Sequence, residues 1–137
     1  MAKNKENKEQ EYVKYKYALG LKSLLESNKE QKDYNLKNAI EDLNLDYSYS
    51  TISSTTGLRP ATISEIISGI SEMKIYTLDL ILGSLGSSYT QFGEILDRLT
   101  KEEISNYKET KEKGRANRLK KKLKAKKPVK NKITRKQ

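Results

Sequence analysis

The chain has no cysteine, no histidine and no tryptophan, and only two prolines and one phenylalanine in 137 residues. Without cysteine there is no disulfide framework and no thiolate metal site. Without histidine the usual general base and the commonest metal ligand are missing. The expectation is a protein that is not an enzyme and that takes no metal and no cofactor. No run of about 18 apolar residues occurs, and the opening MAKNKENKEQ leads into no compact apolar signal core with a cleavage site. A soluble, cytoplasmic protein with no membrane partner is expected. The length leaves room for one small domain plus tails, and no internal repeat is evident.

Charge is plentiful but unevenly spread. The net charge is +10, yet residues 113 to 137 carry 13 of the 28 Lys and Arg and no acidic residue, leaving 15 basic against 18 acidic residues in the remainder. Between Asp33 and Leu99 four cations (Lys37, Arg59, Lys74, Arg98) face nine carboxylates. The pattern is an acidic domain with a cationic arm.

The stretch Ser48 to Gly69, SYSTISSTTGLRPATISEIISG, has the layout of two short helices joined by a glycine turn. Ile52 anchors the first helix, Gly57 supplies the permissive turn position and Leu58 tucks inward. Pro60 suits a first helical position, where its missing N–H has no partner to lose. Ile63, Ile66, Ile67 and Ile70 then repeat at the spacing of one buried face, leaving Ala61, Thr62, Ser64, Glu65 and Ser68 on the other side. A helix backed by isoleucine with a small, polar front is suited to reading base edges in a DNA groove. The same layout also serves as an ordinary αα-hairpin.

Elsewhere, residues 1 to 11 are polar enough to predict disorder. From Tyr12 to about residue 32 the pattern is ambiguous: Val13, Tyr15, Tyr17, Leu19 and Leu21 alternate as in a strand, whereas Tyr17, Leu21, Leu24 and Leu25 follow helical spacing. Leucine and lysine favour an accessory helix that covers the core or forms a dimer contact. A charged gap, Asn28 to Lys32, precedes a helix with Asp33 as N-cap and Leu36, Ile40 and Leu43 on its inner face. Leu78, Ile81, Leu82 and Leu85 form another inner stripe, closed by Gly86. Ser88 with Gln91, and Thr100 with Glu103, read as capping boxes. The first opens a helix with Phe92, Ile95, Leu96 and Leu99 inward. The second opens a C-terminal helix over 100–113, followed by a basic tail over 114–137 that is helical to Lys127 and ended by Pro128.

TTGLRPATISEIISG followed by TLDLILGSLGSSYTQF resembles the Cro and phage-repressor (Xre-like) helix-turn-helix family. Its members pair a G-(V/L)-S-x-x-x-I-S-x-x-E-x-G segment with a later L-x-x-I-A-x-A-L-G-V-S-x-x-x-F segment. Leu78, Ile81, Leu85, Gly86, Ser87 and Phe92 match the latter, with Leu82 where a small residue is usual. The resemblance covers about residues 36 to 99. It implies an all-α fold, a small five-helix bundle, here with an extra N-terminal helix and the basic C-terminal tail, and a DNA-binding domain over 33–99. The apolar residues of the expected first bundle helix sit about two positions too far from Ile52, so the connection Asn44 to Tyr47 should differ locally.

The resemblance also implies the contacts. Ser48 caps the first helix of the motif, and Tyr49 replaces the family's phosphate-contacting glutamine. Arg59 stands where a capping serine or threonine is usual, which loses a cap but sets a cation at the helix entrance, where it can reach a phosphate or the O6 and N7 of a guanine. Pro60, Ala61, Thr62 and Glu65 fall at base-reading positions, and Lys74 is a second phosphate contact. Arg59 and Lys74 alone neutralise little phosphate. The tail residues Arg115, Arg118, Lys120, Lys121, Lys122, Lys124, Lys126 and Lys127 would supply the rest without sequence preference, there being no aromatic side chain among them to stack on bases. A solvated charge run is the alternative reading of the tail, and nucleic-acid contact is favoured over it; only Leu119 and Leu123 would face lipid in a membrane-surface helix.

The expected function is a sequence-specific transcriptional regulator that binds double-stranded DNA as a homodimer on palindromic sites. Two other readings stay open. One is an antitoxin-like protein that binds a small toxin and regulates its own gene. The other is a tail-driven RNA or nucleoid binder.

Overall fold

Six helices make up the secondary structure of the computed structural model, which describes residues 2–40 and 46–135 and the side chains of 8–40 and 46–125. They are α1 (Ala2–Lys37), α2 (Tyr49–Thr56), α3 (Pro60–Ile67), α4 (Ile75–Ser84), α5 (Tyr89–Arg98) and α6 (Lys101–Arg135). No strand occurs among the described residues, so the protein is all-α. No described helix is long and apolar enough to cross a membrane.

The N-terminal third differs from expectation. Disorder to residue 11, an accessory helix, a gap at 28–32 and a new helix at Asp33 are replaced by one helix, α1. The segment from Leu21 to Lys37 contains neither Gly nor Pro to stop it. Once the middle of α1 is packed, extension needs only propagation through Lys, Glu and Gln, which are good helix formers. Leu36 is consequently 70 % exposed and Ile40 is exposed too. Leu43 and most of the connection to α2 lie outside the described residues. The inner place expected for Leu36 and Ile40 is filled by Leu21, with Tyr17, Leu24 and Leu25 beside it. Just past the end of α1, Ala39 adopts φ 51°, and the Ile40 amide donates to the Asn35 carbonyl at 3.0 Å.

The main core joins Leu21 of α1 to Ile52, Ile63, Ile66, Ile67, Ile81, Leu82, Leu85 and Phe92. Burying each such side chain contributes about 1.5–3 kcal/mol. Ile70, expected on the same face of α3, is exposed. The helix stops before it: Gly69 turns left-handed (φ 76°), its amide donates to Ile66 and that of Ile70 to Glu65, closing a Schellman motif. Gly86 ends α4 in the same way, as its position predicts. Gly20 lets α5 approach α1, since a Cβ there would lie 2.8 Å from Leu96 and 2.9 Å from Phe92. Asn28 joins the far end, its amide donating to the carbonyls of Asp46 (2.8 Å) and Leu85 (2.9 Å).

α6 also outruns expectation. It does not end near residue 113 but runs to Arg135, continuing past Pro128, where one backbone hydrogen bond is lacking. Its first half packs Ile104 and Tyr107 against Tyr15 and Ala18 of α1, forming a second core. The Tyr107 hydroxyl donates to the Ile67 carbonyl, and Lys108 pairs with Glu11 at 2.7 Å. Lys22 and Lys111 lie 5.2 and 5.4 Å from the centre of the Tyr107 ring. Burial of this site pushes the Tyr107 phenol well above its usual range and pulls the Lys111 ammonium down.

Candidate nucleic-acid interface

The α2–α3 unit is held by hydroxyl groups. Ser48 caps α2 by accepting from the Thr51 amide at 3.1 Å, and Thr51 returns the bond by accepting from the Ser48 amide at 3.0 Å. Threonine thus does the work of the glutamate in the usual capping box. At the turn, Gly57 is left-handed (φ 80°) and donates to the Ser53 carbonyl. Thr56 Oγ1 donates to the Ile52 carbonyl at 2.7 Å and accepts from the Leu58 amide at 3.1 Å, while the Ser53 hydroxyl donates to the Leu58 carbonyl. Leu58 packs against the main core as its position predicts. The turn therefore sets the entry of α3 rigidly.

α3 starts on Arg59, whose backbone is extended and whose side chain makes no cap bond, with Pro60 in the first turn. Pro60, Ala61 and Glu65 are exposed and Thr62 is half-buried, while Ile63, Ile66 and Ile67 face the core. The Glu65 carboxylate accepts from the Ser71 hydroxyl at 3.2 Å, which orients it toward the loop after α3. Lys74, exposed at the end of that loop, is the N-cap of α4 and likewise makes no side-chain cap bond.

The helix starts divide into two kinds. α2, α5 and α6 are each opened by a reciprocal box: Ser48 with Thr51, Ser88 with Gln91 and Thr100 with Glu103. α3 and α4 begin on a cation with no side-chain acceptor for their first amides. Free amides, the positive end of the helix dipole and a cation beside them favour an anionic oxygen. Arg59 was legible as a lost cap; the matching state of α4 at Lys74 was not, because lysine at an N-cap has no sequence signature of its own.

Two of the expected contact residues are placed differently from the others. Tyr49 is half-buried against the main core, and desolvation raises its phenol pKa. Arg115 is not a free tail cation: its guanidinium donates to the Tyr15 hydroxyl at 2.7 Å and to the Ser68 carbonyl at 3.4 Å. It fastens α6 to the C-terminal end of α3. The signal was present in the sequence as the stripe Ile104, Tyr107, Lys111 and Arg115 at i, i+3, i+7 and i+11, but the charge of the segment masked it. Arg118 is exposed and donates to the Gly114 carbonyl of its own helix at 3.3 Å. Lys120, Lys121, Lys122 and Lys124 are exposed along α6, and the side chains of Lys126 and Lys127 lie outside those described. At about 1.5 Å per residue, these lysines extend roughly 8–14 Å past the Arg115 clasp.

Comparison with protein-family models, with characterised proteins and with solved structures gave no match.

Proposed function

We propose that the protein is a sequence-specific DNA-binding transcriptional regulator of the phage-repressor type, with α3 in the major groove. The observation that carries this reading is α3 itself: an isoleucine back locked into the core, a front of Pro60, Ala61, Thr62 and Glu65, and a cationic, uncapped start at Arg59. Ala61 and the Thr62 methyl suit a thymine methyl, and Glu65 can accept from a cytosine amine. Arg59, at the entrance of α3, can reach a phosphate or the O6 and N7 of a guanine, and Lys74, with the open amides of α4, serves as a phosphate contact that fixes the register. The lysines of α6 beyond Arg115 add attraction for neighbouring phosphates without adding preference. The segment resemblance to phage repressors points the same way.

Selection of bound duplexes from random DNA, followed by titration at several salt concentrations, tests the proposal. Arg59→Ala and Thr62→Ala should erase the preference for the selected duplex. Replacing the outward-facing Lys121 and Lys124 with Gln should weaken binding to every duplex and flatten the salt dependence, by about 0.9 in the log–log slope for each phosphate no longer neutralised. This replacement leaves the Arg115 clasp intact, which truncation after Lys113 would not. If no duplex is ever preferred and the lysine replacement removes all binding, α3 does not read DNA.

A further inference from the structure

A groove of about 530 Å³ lies between the N-terminal part of α1 and the segment from Ser71 to Leu78. Its walls are apolar, with Tyr17, Met73 and Leu78 inside and Val13 and Ile75 at the opening; Ile75 is 84 % exposed. Glu9 and Glu72 border it, with Lys14 as the single cation. An isoleucine held so far into water at the edge of an apolar groove marks a surface made to be covered.

The chain also carries an apolar stripe of the opposite electrostatic character. Ala116, Leu119 and Leu123 share one face of α6, and Leu119 and Leu123 are 61 % and 57 % exposed. At about 100° per residue, Lys120 and Lys122 flank that face while Arg118, Lys121 and Lys124 point away from it. The stripe and the groove thus complement each other twice, leucine to apolar wall and lysine to the carboxylates of Glu9 and Glu72.

We propose that the groove receives the Leu119–Leu123 face of α6 from a second copy of the chain, in a reciprocal exchange that closes a two-fold dimer. The groove is not filled from within: no described residue of α6 lines it, and α6 is one helix whose course is set by the Arg115 clasp. Docking covers Ile75 and both leucines and leaves Lys121 and Lys124 facing outward. The dimer does not depend on what those outward lysines bind.

Because the protein has no cysteine, single introduced thiols report the contact cleanly. Ile75→Cys and Leu119→Cys proteins, mixed and mildly oxidised, should give a cross-linked pair of twice 15.7 kDa. The yield should fall at least tenfold when Leu123→Glu is added to the Leu119→Cys chain. In sedimentation the full chain should have the dimer mass, and Leu119→Glu with Leu123→Glu should return it to 15.7 kDa with unchanged helicity, since both positions are exposed. Three results overturn the proposal. One is a monomer at every concentration reached, and another is efficient self-cross-linking of Leu119→Cys alone, which means that α6 pairs with α6. The third is an intramolecular link in the double-cysteine chain, which means that α6 folds back on its own groove.

Discussion

Gly69→Ala should be among the most damaging single-methyl additions in this protein. Gly69 has φ +76°, and a Cβ built there would lie 2.3 and 2.5 Å from two carbons of the Tyr15 ring. Two costs combine. An L-residue in the left-handed region costs about 1–2 kcal/mol, and overpacking a tight interior costs about 1–3 kcal/mol more. The ring cannot retreat cheaply, because Tyr15 is buried against Ala18, Ile104 and Tyr107 and its hydroxyl holds Arg115. The expected destabilisation is about 2–5 kcal/mol, a large share of the 5–15 kcal/mol typical of a domain. Gly57→Ala is the control: its φ is +80° but its Cβ would meet nothing within 4 Å, so only the conformational cost of about 1–2 kcal/mol applies. Urea unfolding followed by circular dichroism measures both. The reasoning fails if Gly69→Ala costs no more than Gly57→Ala, or if Tyr15→Leu, which trims the ring, does not reduce the penalty of Gly69→Ala in a double-mutant cycle.

Arg59→Ser should separate stability from binding: it gives α3 the cap it lacks, raising stability by about 1 kcal/mol in thermal unfolding, while weakening affinity for DNA in a titration. Arg115→Ala should lower stability by about 1–2 kcal/mol through loss of its bond to the hydroxyl of the buried Tyr15. Lys121→Ala should leave stability unchanged while weakening binding to every duplex alike and lowering the salt slope by about 0.9. The Tyr107 phenol is held above its usual value of 10.0 chiefly by burial. A raised folded-state pKa means stability that is full below about pH 10 and declines as pH rises beyond it. Tyr107→Phe should be less stable at neutral pH but show a shallower alkaline decline, as read by denaturant midpoints from pH 8 to about 11.

Short-range chemistry was easiest to read from the sequence. The boxes at Ser88 and Thr100, the stop at Gly86, the turn at Gly57 and the stripes of α3 and α4 all depend on residues within a few positions of one another, and all but Ile70 stand where expected. Helix extent was harder. Nothing in the residues from Asn28 to Lys37 says whether a charged, breaker-free stretch is a linker or the outward continuation of an anchored helix. Propensity allows both, and only the packing of Tyr15, Ala18 and Leu21 favours the second. Ile70 shows the same limit from the other side, since its spacing was right and the left-handed Gly69 one residue earlier removed it from the helix. At the candidate site, Arg59 and the α3 face could be named from local pattern. The stripe through Arg115 could have set its face, but its partners could not be named, because Tyr15 and Ser68 lie 100 and 47 residues away.

That separation has a consequence for how the chain is built in time. α2 to α5 bring their core together over short sequence distances, whereas the seam between α1 and α6 is closed by pairs such as Glu11 with Lys108 and Tyr15 with Arg115, 97 and 100 residues apart. During synthesis the main core can assemble while α6 is still inside the ribosome, with one side of α1 waiting bare. Of the two cores, the Tyr15–Tyr107 seam is then the later to close. The cations of α6 therefore gain their fixed place beside α3 only after α6 itself has emerged and Arg115 has met Tyr15 and Ser68.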